Sequence, residues 1–449
     1  MCHLWIKCLA AWILLKGVHG DDIMQTKAPM YPNQPFIVFW NAPTEQCQLR
    51  YKVNLDLSTF HIVPNPNETL SGSVVTIFYP TQLGVYPHID DHGHLVHGVI
   101  PQNESLTRHL TKAKSDIDHR IPLKTFHGLG VIDWENWRPQ WDRNWGSKNI
   151  YRAKSIEFAR ELNPQLSEDK LRKIAKQEYE KAGRSFMKDT LLLAENMRPS
   201  GYWGYYLYPD CYNYDYKQKP DQYTGKCPTI EILRNNQLLW MWKESTALFP
   251  SIYLEIMLKS SVNALKFVHH RLKESMRIAS MAREDYALPV FVYARPFYAY
   301  TFEPLTEEDL VTTVGETAAM GAAGIIFWGG MQYASTVDSC QKVKDYMNGP
   351  LGRYLINVTY AAKICSNFLC KKNGRCIRKH TDSHAFLHLF PDNFRIMVYA
   401  NKTDKIVIVK GKLELENLKI LRAKFMCQCY EGWMGQFCEE RSVKKRYQI

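Results

Sequence analysis

The chain has 449 residues, 45% of them hydrophobic, and a formal net charge of +12 at pH 7. This length exceeds that of most single cores, so we expect two domains, and no apolar stretch is long enough to be a membrane-spanning helix. The positive charge favours polyanionic partners, although it also serves solubility, and the lack of a basic helix or nucleic-acid motif argues against nucleic acid.

The first twenty residues have the features of a secretory signal peptide. Lys7 precedes the apolar residues 9–15, and Val18 and Gly20 provide small side chains at suitable cleavage positions. An amphipathic structural helix is the alternative for this segment. A signal peptide over residues 1–20 predicts a secreted, extracellular protein.

Cysteine usage agrees with export. Cys2 and Cys8 lie in the signal segment, so 12 − 2 leaves ten cysteines, an even number that suits an oxidising compartment. Residues 441–449 form a polar tail without a lipid-anchor signal, so no membrane anchor is predicted. Four triplets are acceptors for N-glycosylation, at Asn67, Asn103, Asn357 and Asn401.

Apolar strands and helices alternate through the larger part of the chain. The predicted strands are residues 36–40, 74–79, 129–134, 203–207, 289–294 and 324–328. The predicted helices are residues 106–118, 155–162, 168–197, 264–282, 306–320 and 339–347. This alternation predicts a parallel sheet buried on both faces, and the length favours a distorted TIM-like β/α barrel over residues 24–350 rather than a doubly wound sheet.

Residues 360–440 predict a small disulfide-rich module. Six cysteines have the spacing of an EGF-like module, apart from a long insertion before the fourth: Cys365, Cys370, Cys376, Cys427, Cys429 and Cys438. The usual order of such a module joins the first to the third, the second to the fourth and the fifth to the sixth. Six cysteines allow fifteen pairings, so spacing alone leaves the connectivity open. Four cysteines remain for the barrel, namely Cys47, Cys211, Cys227 and Cys340.

Asp133 and Glu135 stand two residues apart at the end of a predicted strand. Their side chains should share one face, roughly 6–7 Å apart along the chain. Two such carboxylates repel, which raises the pKa of one and keeps it protonated as a general acid near neutral pH. Glycoside cleavage needs this acid, because the leaving sugar oxygen must be protonated. Asp-x-Glu is common by itself, and its position at the C-terminal end of a barrel strand favours the catalytic interpretation.

Aromatic side chains are dense around these carboxylates. Trp137, Trp141 and Trp145 repeat every four residues, which predicts a helix face packed on the barrel. The tyrosines and tryptophan of residues 202–208 alternate through a strand, so we expect one set to point inward and the other outward. Rings of this kind stack on the apolar faces of sugars, although packing is the default role of any single aromatic side chain.

Two histidine groups need another explanation. The His and Asp residues of 88–97 resemble a metal site, but they lie in a turn without an orienting scaffold, and no metal or cofactor is predicted. His269 and His270 are expected on a solvated helix face, while the neighbouring Arg271 could reach a substrate carboxylate.

Longer strings carry a resemblance to a known family. They include Val131-Ile132-Asp133-Trp134-Glu135-Asn136-Trp137-Arg138-Pro139, Trp203-Gly204-Tyr205-Tyr206, Pro209-Asp210-Cys211-Tyr212-Asn213 and Ala247-Leu248-Phe249-Pro250-Ser251-Ile252-Tyr253. On these strings the chain resembles the hyaluronidases of glycoside hydrolase family 56, from about residue 30 to the EGF-like end. The likeness is strongest to the snake-venom members of that family.

The resemblance implies endo-cleavage of hyaluronan, with weaker action on chondroitin, at β-1,4 N-acetylhexosaminidic bonds and with retained configuration. It implies that the substrate's own acetamido carbonyl is the nucleophile, an exception to the two-carboxylate scheme. Glu135 then matches the proton donor, Asp133 the residue that orients the acetamido group, and Tyr206 and Tyr253 the tyrosines that help to position it.

The resemblance also implies the remaining site residues. Those matching substrate-contacting positions are Tyr79, Asp210, Arg271 and Trp328. The barrel disulfides fall on Cys47 with Cys340 and on Cys211 with Cys227. A monomer without a cofactor is expected. The alternative, a non-catalytic secreted carbohydrate-binding protein on the same fold, would be marked by loss of the acid or of the acetamido-orienting residue, and both Asp133 and Glu135 are present.

Overall fold

A computed structural model describes residues 23–400 and 405–442. The predicted signal peptide at residues 1–20, the glycosylation acceptor Asn401 and residues 443–449 of the predicted tail lie outside the described residues. Within the described part, no helix combines the length and the apolar character that crossing a membrane requires.

The fold is mixed α/β. The strands are β1 (Ile37–Asn41), β2 (Ile62–Pro64), β3 (Val75–Phe78), β4 (His88–Ile89), β5 (Leu95–Val96), β6 (Leu129–Ile132), β7 (Tyr202–Tyr205), β8 (Phe291–Ala294), β9 (Gly324–Trp328), β10 (Gly374–Arg378), β11 (Phe394–Ala400), β12 (Lys405–Gly411), β13 (Phe425–Cys429), β14 (Trp433–Met434) and β15 (Glu440–Arg441). The helices are α1 (Glu45–Leu49), α2 (Leu106–Arg120), α3 (Asn149–Leu162), α4 (Glu168–Met197), α5 (Thr229–Gln237), α6 (Leu239–Glu244), α7 (Val262–Met281), α8 (Glu307–Leu310), α9 (Glu316–Ala319), α10 (Val337–Tyr346), α11 (Gly352–Phe368) and α12 (Leu415–Lys424).

Seven parallel strands form two sheets, in the orders β2-β1-β9-β8 and β3-β6-β7. Residues 247–253 connect the sheets on one side, where isolated parallel bridges join Phe249 to Tyr206 and Ser251 to Tyr293. On the other side, the buried Asn65, which follows β2, joins the sheets through the start of β3. Its side chain accepts hydrogen bonds from the backbone N–H groups of Val74 and Val75 and donates one to the carbonyl of Val75.

Each predicted strand is confirmed within a few residues of its predicted ends. In β1, Ile37 and Phe39 belong to an inner apolar cluster, while Val38 and Trp40 belong to the larger cluster that includes helix residues. Both faces of the strand are therefore buried, which explains its uninterrupted apolar sequence.

The helix predictions hold best where the pattern is long. The helix predicted over residues 168–197 is observed with those bounds. The helix predicted over residues 306–320 is divided into α8 and α9 by a π-helical turn, Val311–Gly315. The 17-residue α11 was not predicted, although its buried residues recur at helical spacing, as at Leu355, Ala362 and Cys365.

The helix predicted from Trp137, Trp141 and Trp145 is wrong. Only Trp141–Arg143 forms a short 3-10 turn, and Trp145 is half-exposed. The buried side chain of Asn144 holds this segment as a loop, because it accepts a hydrogen bond from the N–H of Arg138 and donates to that residue's carbonyl. A side chain that satisfies backbone groups in this way replaces the bonds that a helix would supply.

The C-terminal part contains the antiparallel pairs β10–β13 and β11–β12. The second pair lies in the insertion between Cys376 and Cys427. The described residues contain five disulfides: Cys47–Cys340, Cys211–Cys227, Cys365–Cys376, Cys370–Cys427 and Cys429–Cys438. They are the same pairs that the module's usual order and the family resemblance led us to expect.

Candidate active site

A cavity of about 440 Å³ lies at the C-terminal ends of the parallel strands. Seven of the eight residues predicted for catalysis and substrate contact line it: Asp133, Glu135, Tyr206, Asp210, Tyr253, Arg271 and Trp328. The eighth, Tyr79, directly follows β3, and its hydroxyl accepts a hydrogen bond of 3.2 Å from the indole N–H of Trp328. One cleft therefore brings together side chains from most of the chain's length.

Asp133 and Glu135 leave the end of β6 together. The strand ends at Ile132, one residue before Asp133, although the backbone N–H of Asp133 still donates to the carbonyl of Phe78 at 2.9 Å. Burial, and then the charge of Glu135, raise the pKa of Asp133 to about 8, and Arg138 opposes this shift. The repulsion expected from the sequence therefore acts on Asp133, whereas half of the Glu135 side chain is exposed. Near neutral pH the free protein keeps a proton on Asp133.

Three aromatic side chains form one wall of the cleft. The rings of Tyr206 and Tyr253 are 6.3 Å apart, and the ring of Tyr253 stacks on Trp328 at 6.2 Å. The Tyr206 hydroxyl donates a hydrogen bond of 3.4 Å to Ser251. Burial raises the pKa of Tyr206 and of Tyr253 far above the physiological range. Both phenols therefore remain protonated and can donate hydrogen bonds to a ligand.

Arg271 lines the same cleft and is fixed there by several partners. Its Nε donates to the side-chain oxygen of Asn213 at 2.9 Å, and one terminal nitrogen donates to the carbonyl of Ser251 at 2.9 Å. The other terminal nitrogen is 3.7 Å from the carboxylate of Asp210. The guanidinium also lies 4.5 Å from the ring centre of Phe267. Such a planar, preorganised cation suits recognition of a carboxylate.

Three further cations of the cleft were not among the predicted site residues, Arg138, Lys148 and Arg295. The buried Arg138 donates to the carbonyl of Glu135 at 3.1 Å, and its guanidinium comes within 3.9 Å of the Glu135 carboxylate. Arg295 lies over the ring of Trp328 at 5.1 Å. Its place directly after β8 was the available signal, since the other functional side chains also follow strands. No spacing in the sequence pointed to Lys148.

Neither histidine group joins the cleft. In the ranges that the structure describes, no three His, Cys, Asp or Glu side chains are grouped as a metal site would require. The expectation of a solvated face is wrong for His269, whose two ring nitrogens contact Glu316 at 2.7 Å and Asp382 at 3.0 Å. No pattern in the sequence indicated these contacts, because Asp382 lies 113 residues away in the C-terminal part.

Comparisons with known proteins agree on one family. A family model described as hyaluronidase matches residues 25–442. A hyaluronidase of Echis ocellatus is 79% identical over 444 residues, which are 99% of this chain and 99% of that protein, and hyaluronidase-1 of Bitis arietans is 78% identical over the same shares. The solved structure of bee venom hyaluronidase in complex with a hyaluronic acid tetramer has a TM-score of 0.65 and 32% identity, and the match covers 71% of this chain and 98% of that one.

Proposed function

The chain belongs to the hyaluronidase family, and on this premise we propose that its cleft hydrolyses hyaluronan internally, at the β-1,4 bonds from N-acetylglucosamine to glucuronate. The family resemblance found in the sequence is thereby confirmed. The observation that carries the mechanism is the position of Asp133 and Glu135 in one cleft, directly after the same buried strand. A proton donor beside a second carboxylate is the arrangement that substrate-assisted glycoside cleavage needs.

Glu135 is the proton donor in this proposal. Its protonated carboxyl gives its proton to the glycosidic oxygen as the bond from that oxygen to the anomeric carbon breaks, and glucuronate leaves with a free hydroxyl. The acetamido carbonyl oxygen of the same N-acetylglucosamine attacks the anomeric carbon from the opposite face. The product of this step is a cyclic oxazolinium ion, whose positive charge needs a neighbouring anion.

Water completes the reaction. It attacks the anomeric carbon from the face that the leaving group vacated, and the Glu135 carboxylate takes the water's proton. The bond between the anomeric carbon and the acetamido oxygen breaks, which restores the N-acetyl group. Two inversions at the same carbon give retained configuration, and Glu135 ends each cycle protonated.

In this proposal Asp133 and Glu135 share one proton, and Asp133 determines which of the two carboxyls carries it. In the free protein its raised pKa holds the proton on Asp133 near neutral pH. The acetamido N–H of a bound sugar would donate a hydrogen bond to this carboxyl, and such a bond favours the ionised form. Substrate binding then shifts the proton from Asp133 to Glu135, which donates it to the glycosidic oxygen. The ionised Asp133 stabilises the oxazolinium charge.

The other cleft residues bind and shape the substrate. Tyr206 and Tyr253, protonated at physiological pH, donate hydrogen bonds that help to hold the acetamido group. Tyr79 and Trp328, joined by a hydrogen bond, contact a sugar ring. Asp210 and Arg271 bind polar groups of the chain, with Arg271 directed at a glucuronate carboxylate. Weaker cleavage of chondroitin fits the same contacts, because that polymer also alternates a uronate with an N-acetylated sugar.

We also propose a domain architecture for the chain and a location for the protein. The links through residues 247–253 and through Asn65 support a closed, distorted barrel over residues 24–350. The three C-terminal disulfides support an EGF-like module over residues 360–440. We further propose a secreted monomer that is glycosylated at some of its acceptors, of which Asn67 and Asn103 are exposed.

Size analysis of hyaluronan after incubation with the pure protein tests the proposal. We expect the average chain length to fall early and throughout the population, as internal cleavage requires. A matched incubation with Glu135→Gln should leave the polymer intact. Hyaluronan that binds the wild-type protein and keeps its length would support the alternative, a non-catalytic carbohydrate-binding protein.

A further inference from the structure

Lys148 differs from the other cations of the cleft. Arg138 and Arg271 face the carboxylates of Glu135 and Asp210, and Arg295 is stacked on Trp328. These three arginines are buried, whereas Lys148 is half-buried. In the part of the chain that the structure describes, the Lys148 ammonium forms no salt bridge, and its hydrogen bonds go to the backbone carbonyls of Glu135 and Asn136.

This ammonium lies beside the proton donor. Lys148 ends the short turn Gly146–Lys148 that precedes α3, and its side chain reaches back to the backbone of Glu135. Lys148, Glu135 and Asp133 line the same cleft. The two carbonyls that hold the ammonium belong to Glu135 and Asn136, which follow Asp133 in the chain. Lys148 is therefore held beside Glu135.

The chemistry of the proposed substrate assigns a role to this position. If the acetamido sugar lies against Asp133 and the tyrosines, the leaving glucuronate lies next to Glu135, whose backbone holds the Lys148 ammonium. Its carboxyl carbon is bonded to the ring carbon next to the one that carries the leaving oxygen. Glu135 protonates this oxygen, and Lys148 lies beside Glu135. The Lys148 ammonium is therefore also beside the carboxylate of the leaving glucuronate.

We propose that Lys148 binds the carboxylate of the uronate on the leaving-group side of the scissile bond and thereby selects chains with a charged sugar there. The assignment rests on the proposed function, since it takes the place of the leaving group from that mechanism. Burial and Arg138 lower the pKa of Lys148 to about 8, so the ammonium is charged at neutral pH and loses its charge at moderately alkaline pH.

The test compares hyaluronan oligosaccharides with the same oligosaccharides whose uronates are methyl esters. We expect Lys148→Gln to lower kcat/KM on the native oligosaccharide about tenfold to a hundredfold, the range for a charge-assisted hydrogen bond. On the esterified oligosaccharide the variant should match the wild type within about twofold, because the interaction that it removes is already absent there. Lys148→Arg should restore the preference for the native substrate.

Lys154→Gln is the matched control, since it removes the same charge from an exposed site on α3, where Lys154 contacts Glu157. Its kcat/KM should stay within about twofold on both substrates. Equal losses for Lys148→Gln on both substrates would overturn the inference, because they would mean that Lys148 only holds the backbone of Glu135. Unchanged kcat/KM on the native substrate would overturn it too. If the wild-type protein cleaves neither oligosaccharide, the proposed function itself fails, and the inference fails with it.

Discussion

Arg378, at the end of β10, donates two hydrogen bonds of 2.9 and 2.7 Å to the carboxylate of Glu316 on α9. Both side chains are buried. The pair joins the C-terminal part of the chain to the parallel-strand part, and neither charged side chain is open to solvent. Loss of one partner therefore leaves the other charge buried and uncompensated.

Replacement of Glu316 should destabilise the protein strongly. We expect Glu316→Gln to lower the free energy of unfolding by about 3–5 kcal/mol, the range for breaking a buried ion pair from one side. Urea denaturation measures the change as a lower midpoint at a similar slope. The control is Glu157→Gln, which breaks an exposed contact with Lys154 and should change stability by less than about 1 kcal/mol. Similar effects of the two variants would contradict the importance assigned to the buried pair.

His269 should make the same junction sensitive to pH. Burial lowers the pKa of His269, but the hydrogen bonds to Glu316 and Asp382 outweigh it and raise the pKa above its ordinary value of 6.5. Arg378 also contacts Glu316, and Lys273 also contacts Asp382, so the histidine faces both signs of charge.

A raised folded-state pKa means that the stabilisation by His269 is complete below pH 6.5 and is lost as pH rises through the folded value. We expect His269→Gln to lower Tm at pH 5.5 and to lower it less at pH 8.5. Thermal unfolding across this pH range gives Tm for both proteins. Subtracting the Tm of the wild type from that of the variant at each pH removes the contribution of other titrating groups. A Tm difference that is constant with pH would exclude His269 as the titrating group.

The sequence predicted elements well where a local pattern determines them. The repeated apolar segments specify β1, β6 and β9, because strands buried on both faces need an unbroken apolar run. Local reasoning failed for the loop of residues 137–145, because the side chain of Asn144 satisfies its backbone, a contact that no residue spacing reveals.

In the candidate site, too, residues marked by a local pattern were predicted and residues placed by contacts between elements were not. Asp133 and Glu135 were predictable because they follow a recognisable strand, and the family resemblance added the tyrosines and Arg271. Lys148 and the partners of His269 were not predictable, since both depend on contacts between elements. The group that bears the raised pKa was not predictable either, because burial separates Asp133 from the half-exposed Glu135 only in the folded chain.

Asp133 should make the wild-type protein less stable as pH rises. Its pKa is about 8 in the folded protein and has an ordinary value of 3.8, so between these limits the folded state binds the additional proton. Stability therefore falls as pH rises from about 4 to about 8 and then levels off. Asp133→Asn cannot ionise and should remove this part of the decline. The measurement is Tm against pH for both proteins. Parallel profiles between pH 4 and 8 would contradict a raised pKa at Asp133.

Replacement of Glu135 should separate catalysis from binding. Glu135→Gln has nearly the same shape but cannot protonate the leaving oxygen, so we expect kcat on hyaluronan to fall by at least about 10²–10⁴-fold. Stability should change little, because half of the side chain is exposed and its nearest cation, on Arg138, is 3.9 Å away. Calorimetric titration with a non-cleaved oligosaccharide should give nearly unchanged affinity.

The same variant also tests the coupling between the two carboxyls. The charge of Glu135 is the second contribution to the raised pKa of Asp133, after burial. Its removal should bring that pKa down, so the decline of Tm in Glu135→Gln should end at a lower pH than in the wild type. Near-normal turnover in this variant would overturn Glu135 as the proton donor. If Tm stops falling at the same pH in the variant and the wild type, burial alone sets the pKa of Asp133.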